Sequence, residues 1–150
     1  MASGKGHIVG GVIFAWLFLA LLSNYFFVPT PTEIVIFVGL AVMFSLWPDV
    51  DIKSIGQKVF YTIFFITDAI LVFYFQDYKA AAFFGLLIIL PVLAKHRGWT
   101  HSKITAVLLP TPLLLVPMYA FEGTLAEGLP YYFAAVAGYF SHLFFDKKLI

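Results

Sequence analysis

The sequence contains no cysteine and few charged residues. Without cysteine the chain can form neither a disulfide nor a thiolate metal site, so any transition metal must be bound by imidazole and carboxylate groups. Only 11% of the 150 residues are charged, whereas about a quarter of the residues in a typical soluble domain are charged. The chain also lacks a basic tract, which argues against nucleic acid as a partner.

Apolar residues make up most of what is present. The chain is 62% hydrophobic, and 18 of its residues are phenylalanine. A domain of this length has too little interior to hide that much apolar surface from water. The composition therefore predicts an all-α polytopic membrane bundle that forms one integral-membrane domain over residues 1–150.

Six apolar segments predict about six membrane spans. The first segment follows Lys5 and is too long for a signal peptide, so we expect it to remain as a first helix. The fifth contains Pro110, Pro112 and Pro117, which predict a kinked or broken helix. The segments are residues 8–28, 33–47, 59–75, 80–94, 104–121 and 129–145.

The basic residues lie almost entirely on one side of this predicted topology. If the spans alternate in direction, only Lys79 falls on the other side. Positive charge accumulates on the cytoplasmic side of membrane proteins, so both termini are expected in the cytoplasm. The expected location is the inner or plasma membrane of the cell. The cytoplasmic group is Lys5, Lys53, Lys58, Lys95, Arg97, Lys103, Lys147 and Lys148.

All four histidines fall on the same predicted side, together with several aspartates. In "SHLFFD", His142 and Asp146 are four residues apart, so a helix would place them on one face. In "WPDVD", Asp49 and Asp51 occupy a short turn after a proline. Taken singly, each motif also fits an ordinary polar helix end or loop, and His7 before the first span would mean little alone.

The densest polar stretch is "KHRGWTHS", residues 95–102. Gly98 allows the backbone to turn, so His96 and His101 can approach one centre although their spacing is not helical. An alternative interpretation is a loop that anchors the protein to anionic headgroups. Neutral histidines add little to such anchoring, which favours a binding site.

The other polar residues of this stretch fit supporting roles. Arg97 can bind an anionic oxygen, such as that of a phosphate, through its forked donors. Thr100 and Ser102 can orient the imidazoles or the substrate.

Seven side chains are thus predicted to share one depth at the cytoplasmic face. Imidazole and carboxylate suit zinc, manganese or iron, and seven ligands are more than one tetrahedral ion needs, so two ions are expected. The predicted chemistry is hydrolysis by a metal-activated water, with Asp49, Asp51 and Arg97 as catalytic residues. The predicted ligands are His7, Asp49, Asp51, His96, His101, His142 and Asp146.

These motifs resemble the YdjM-like family of inner-membrane, metal-dependent hydrolases. The resemblance rests on His7, "PDVD" at 48–51, "HRGWTHS" at 96–102 and "HLFFD" at 142–146, which occur in the family's order over nearly the whole chain. It implies a distant similarity to zinc-dependent phospholipase C and the P1-type nucleases. It therefore implies zinc, phosphoester hydrolysis and the same seven ligands.

The expected function is hydrolysis of a lipid or isoprenoid-type phosphoester at the cytoplasmic membrane face. Two alternatives stay open. A metal or ion transporter would use the cluster as an access site, and its only hints are Asp68 within the third segment and the prolines of the fifth. A non-catalytic membrane subunit would use the cluster as a structural metal site.

Overall fold

A computed structural model of the chain describes residues 3–89, 91, 98–120 and 122–146, and every regular element among them is helical. Two short 3₁₀ turns among them span Trp47–Asp49 and Trp99–His101. The predicted all-α class is therefore confirmed. The α-helices are α1 (Gly4–Tyr25), α2 (Pro31–Leu46), α3 (Ile55–Phe73), α4 (Tyr78–Ile89), α5 (Lys103–Leu108), α6 (Pro112–Ala120) and α7 (Leu125–Phe145).

Each predicted apolar segment corresponds to a helix, and the fifth is broken as its prolines predict. The break lies between Leu108, where α5 ends, and Pro112, where α6 begins. Pro110 lies in the intervening turn, where its missing N–H and fixed φ are tolerated. Pro117, by contrast, lies inside α6.

Polar caps determine where the helices begin. Thr30 and Glu33 form a capping box at the start of α2, and Thr124 and Glu127 form another at the start of α7. The Ser54 hydroxyl accepts a backbone N–H at the start of α3. Because the caps are polar, the helices begin one to four residues before the apolar segments.

The centre of the bundle is formed by α1, α2 and α7, which pack against one another. Small residues allow close approach: a Cβ added at Gly138 of α7 would overlap the Ala41 carbonyl oxygen of α2, and one at Gly11 of α1 would lie 2.6 Å from Ser45 Oγ. Close contact at small residues is a principal way in which helices associate in lipid. This packing places the start of α1 beside the ends of α2 and α7.

Outside this centre, α3 packs on α4 and on the Trp47–Asp49 turn, and α6 packs on α7. The outer surface of α3 is apolar and exposed, as at Phe65 (75%) and Phe73 (81%), which fits contact with lipid. Six crossings and the side of the termini remain predictions. Among the described residues, three helical stretches are long and apolar enough to cross a membrane: Gly4–Tyr25, Pro31–Asp49 and Ile55–Phe73.

Candidate metal centre

Five of the seven predicted ligands meet at one end of the central three helices. His7 comes from the first turn of α1, Asp49 from the 3₁₀ turn after α2, and His101 from the 3₁₀ turn before α5. His142 lies in the last turn of α7, and Asp146 is the C-cap residue of that helix. We call these five side chains the cluster.

Within the cluster, each imidazole faces both carboxylates. His7 Nε2 lies 3.8 Å from Asp49 Oδ2 and 3.5 Å from Asp146 Oδ1. His101 Nε2 lies 3.6 Å from Asp49 Oδ1 and 3.9 Å from Asp146 Oδ2. His142 Nε2 lies 3.7 Å and 3.8 Å from these same two oxygens. One oxygen of each carboxylate thus faces His7, and the other faces the remaining two imidazoles.

The spacing of these donor atoms suits a shared cation. All six nitrogen–oxygen distances are longer than a normal hydrogen bond of about 2.7–3.2 Å. Two ligands bound at about 2.0–2.2 Å from one tetrahedral ion lie roughly 3.4 Å from each other. Metal-compatible groups within the described residues are His7–His142–Asp146 and Asp49–His101–His142, whose donor atoms lie within 4.8 Å of one another.

The cluster is largely shielded from solvent. Asp49 has 10% of its side chain exposed, Asp146 has 2%, and the three imidazoles have 1% or less. Buried carboxylates cost several kcal/mol each unless a cation compensates them. Asp49 Oδ1 and His142 Nε2 also have no hydrogen-bond partner among the described residues. A divalent cation fits both requirements, so the residues present suit the metal that the sequence predicts.

His142 is held in the tautomer that a metal ligand needs. Its Nδ1 lies 2.7 Å from the backbone carbonyl oxygen of Ser45. A carbonyl can only accept, so Nδ1 carries the proton and Nε2 presents its lone pair to the carboxylates. The ring also stacks on that of His7, with centroids 3.7 Å apart and planes inclined by 15°. Both contacts restrict the orientation of the imidazole.

His101 is supported by Thr100 and Tyr139. Thr100 Oγ1 lies 3.2 Å from His101 Nδ1, and the Tyr139 hydroxyl donates a hydrogen bond to the Thr100 carbonyl oxygen. Thr100 and Tyr139 are completely buried. Thr100 thus lies beside one of the predicted ligands. Ser102 instead caps α5, where its hydroxyl accepts the backbone N–H of Ile104 at 3.1 Å.

The remaining predicted site residues either lie apart from the cluster or lie outside the described residues. Asp51 is half-buried and belongs to neither group of donors among the described residues. His96 and Arg97 lie outside the described residues, so their roles stay predictions. Asp68 lies on α3, apart from the cluster, and no described residue forms a hydrogen bond to its buried Oδ1.

Comparison with known families identifies the chain. The model of the YdjM inner membrane protein family matches residues 1–147. The chain belongs to the YdjM family. The match includes every member of the cluster, and the family description agrees with the apolar helices in indicating a membrane protein. Neither a curated protein nor a solved structure gave a match.

In this YdjM family member, two supporting residues were missed by sequence reasoning. Tyr139 precedes His142 by three residues on α7, so helical spacing alone places the two near one face. The spacing could therefore have indicated Tyr139 as a residue near the site. Ser45 contributes its backbone carbonyl, which no side-chain motif reveals.

Proposed function

We propose that this YdjM family member is a metal-dependent hydrolase of lipid or isoprenoid-type phosphoesters at the cytoplasmic membrane face. The observation that carries the proposal is the buried cluster, whose six nitrogen–oxygen distances lie between 3.5 and 3.9 Å. Its donors suit zinc, with manganese or iron as alternatives. A bound metal pair supplies a water of lowered pKa and neutralises charge on a phosphoryl group.

The arrangement of the carboxylates supports two metal positions. The donors fall into two groups of three, His7–His142–Asp146 and Asp49–His101–His142, which share His142. Asp49 and Asp146 would both help to hold a metal pair, because one oxygen of each carboxylate faces His7 and the other faces the remaining imidazoles.

Access from outside favours a catalytic site over a structural one. Asp49 has the most exposed side chain of the cluster, and this residue lines a cavity of about 600 Å³. Structural metal sites are saturated by protein and closed to water. A ligand residue that also lines a cavity leaves room for water and substrate beside the metal. Asp51 and Arg97 complete the proposed catalytic set, with Arg97 binding a phosphoryl oxygen.

The described residues support the transporter alternative less well. The larger cavity, about 760 Å³, is lined by Glu33 and Glu127 but by no cluster residue, and it lies at the opposite end of α2 and α7. Both glutamates serve capping boxes. No metal-compatible group occurs at that end among the residues that the structure describes. A transporter needs a polar path that joins the two ends.

The proposal is tested by phosphate and headgroup release from a panel of lipid phosphoesters, using zinc-loaded protein in neutral detergent. We expect release that stops on chelation and is lost in Asp49→Asn. Asp68→Asn is the matched control, because it also neutralises a carboxylate but lies outside the cluster. Absence of turnover on every ester by fully loaded wild-type protein would refute the hydrolase proposal.

A further inference from the structure

The cavity beside the cluster has a polar, basic wall. Besides Asp49 and Gly4, its lining residues come from the loop before α3 and from the first turn of that helix. Lys53, Ser54, Gln57 and Lys58 supply its polar groups. Because this wall carries ammonium groups and hydrogen-bond donors, the cavity suits an anion rather than a second cation.

The two lysines are available to a ligand. Lys53 and Lys58 are exposed, and neither forms an ion pair with a carboxylate in the part of the chain that the structure describes. Both residues line a cavity whose lining also includes a candidate metal ligand. An anionic group bound by the lysines would therefore be held beside the metal centre.

Hydrogen bonds tie this wall to the cluster. The Ser54 hydroxyl donates to the backbone carbonyl of Asp49 at 2.7 Å and accepts the backbone N–H of Gln57 at 3.0 Å. The backbone that bears the lysines is thus connected to the candidate ligand. This connection lets the loop hold an anion at a defined position relative to the cluster.

A second cavity continues from the first towards the lipid-facing surface. It has a volume of about 530 Å³, shares Gln57 and Lys58 with the first, and extends over Tyr61, Thr62 and Phe65 of α3. Phe65 is 75% exposed, and α3 is one of the helices apolar enough to cross a membrane. Together the two cavities therefore begin at a basic, polar end beside Asp49 and become apolar along α3.

We propose that Lys53 and Lys58 bind the phosphate of a lipid phosphate monoester, whose hydrocarbon chain lies along α3 over Thr62 and Phe65. Two ammonium groups match a phosphate monoester, which carries about −1.5 to −2 charges at neutral pH. A zwitterionic diester such as phosphatidylcholine matches them less well. This inference rests on the proposed function for the role of the bound lipid as substrate, whereas the binding itself does not require turnover.

Binding is measured with zinc-loaded full-length protein in neutral detergent, and again with chelated protein. The probes are dioctanoyl phosphatidic acid, dioctanoyl phosphatidylcholine and glycerol 3-phosphate. We expect the phosphatidic acid to bind most tightly. Each of Lys53→Gln and Lys58→Gln should raise its Kd about three- to fivefold, as for an exposed ion pair. Lys79→Gln, at the start of α4, makes the same charge change and should leave the Kd unaltered.

The contribution of the lipid's hydrocarbon chain to binding is tested separately, with substitutions on α3. Phe65→Ser should weaken phosphatidic acid binding but not glycerol 3-phosphate binding. Phe73→Ser is the control, because Phe73 is equally exposed on α3 but lies outside the second cavity. Equal binding of phosphatidic acid and glycerol 3-phosphate would overturn the lipid assignment in favour of free phosphate esters.

Two further results would overturn the role of the lysines. One is an unchanged, wild-type affinity for phosphatidic acid in the lysine variants. The other is loss of zinc from these variants, which would mean that the lysines stabilise the cluster and do not bind the lipid. The inference and the proposed function fail separately. If the protein holds no metal but still binds phosphatidic acid through the lysines, the proposed lipid site stands and the proposed hydrolase function is refuted.

Discussion

Replacement of Gly138 by alanine should weaken the metal centre without changing any ligand. A Cβ at this position would lie 2.6 Å from Ala41 Cα, whereas ordinary contact begins at 3.4 Å. Because the Ala41 carbonyl oxygen would lie closer still, α2 and α7 must separate by at least about 0.8 Å in a well-packed bundle. The same movement would lengthen the 2.7 Å contact between His142 Nδ1 and the Ser45 carbonyl oxygen to about 3.5 Å or more, where a hydrogen bond is essentially lost.

The expected cost has two parts. Overpacking of this kind typically costs about 1–3 kcal/mol of stability. Loss of the hydrogen bond that orients a metal-bound histidine typically lowers metal affinity about 10- to 100-fold. Gly138→Ala should therefore show a lower unfolding temperature and a higher Kd for zinc than wild type. The first effect reports the helix contact, and the second reports its connection to the cluster.

The assay is a competitive titration of zinc against a chelator in detergent, paired with thermal unfolding. Gly39→Ala is the matched control, because an added Cβ there meets nothing within 4 Å. The control should retain wild-type zinc affinity. If Gly138→Ala lowers the unfolding temperature but binds zinc as wild type does, the contact between α2 and α7 does not set the geometry of the site.

Three further predictions concern the cluster and its support. His7→Ala should bind one fewer zinc ion by elemental analysis, because the group Asp49–His101–His142 stays complete. Leu22→Ala, which removes buried side-chain volume from the same helix, should keep the full zinc content. Equal zinc content in both variants would contradict two metal positions. Tyr139→Phe should lower the free energy of unfolding by about 0.5–1.5 kcal/mol in chemical denaturation, because it removes the hydrogen bond to Thr100, and an unchanged value would contradict this support. Chelation should lower the unfolding temperature, since a ligand at 1,000 times its Kd stabilises the native state by about 4 kcal/mol, and an unchanged temperature would argue against a bound metal.

The helices could be predicted well from the sequence, and their ends less well. In lipid the backbone must satisfy its own hydrogen bonds, so apolar segments of this length have helix as their default structure. The break at Pro110 follows from the same physics. The starts of α2 and α7 depend on Thr30 and Thr124, polar residues that an apolar pattern excludes. Capping motifs would have located both starts.

The cluster was partly predictable because the distribution of charge sorts the polar residues to one end. The positive-inside rule alone placed His7 with His101 and His142, although they are far apart in sequence. The opposed faces of the two carboxylates were not predictable, because they depend on how closely α2 and α7 approach at Gly138. No sequence pattern reports that distance.

The basic cavity was also outside the reach of the sequence. Lys53 and Lys58 counted only as markers of topology, since a charge in a loop shows its side of the membrane but not its neighbours. Their relation to Asp49 depends on the turn after α2 and on the Ser54 hydrogen bonds. A cavity requires the tertiary structure.

Metal content tests the central claim most directly. Elemental mass spectrometry should be performed on detergent-purified wild-type protein and on the His101→Ala/His142→Ala variant, with folding followed by circular dichroism. The account predicts about two equivalents of a transition metal in wild type and a large loss in a variant that remains helical. Wild-type protein that holds no metal, even after it is reloaded with zinc or manganese, would contradict the account.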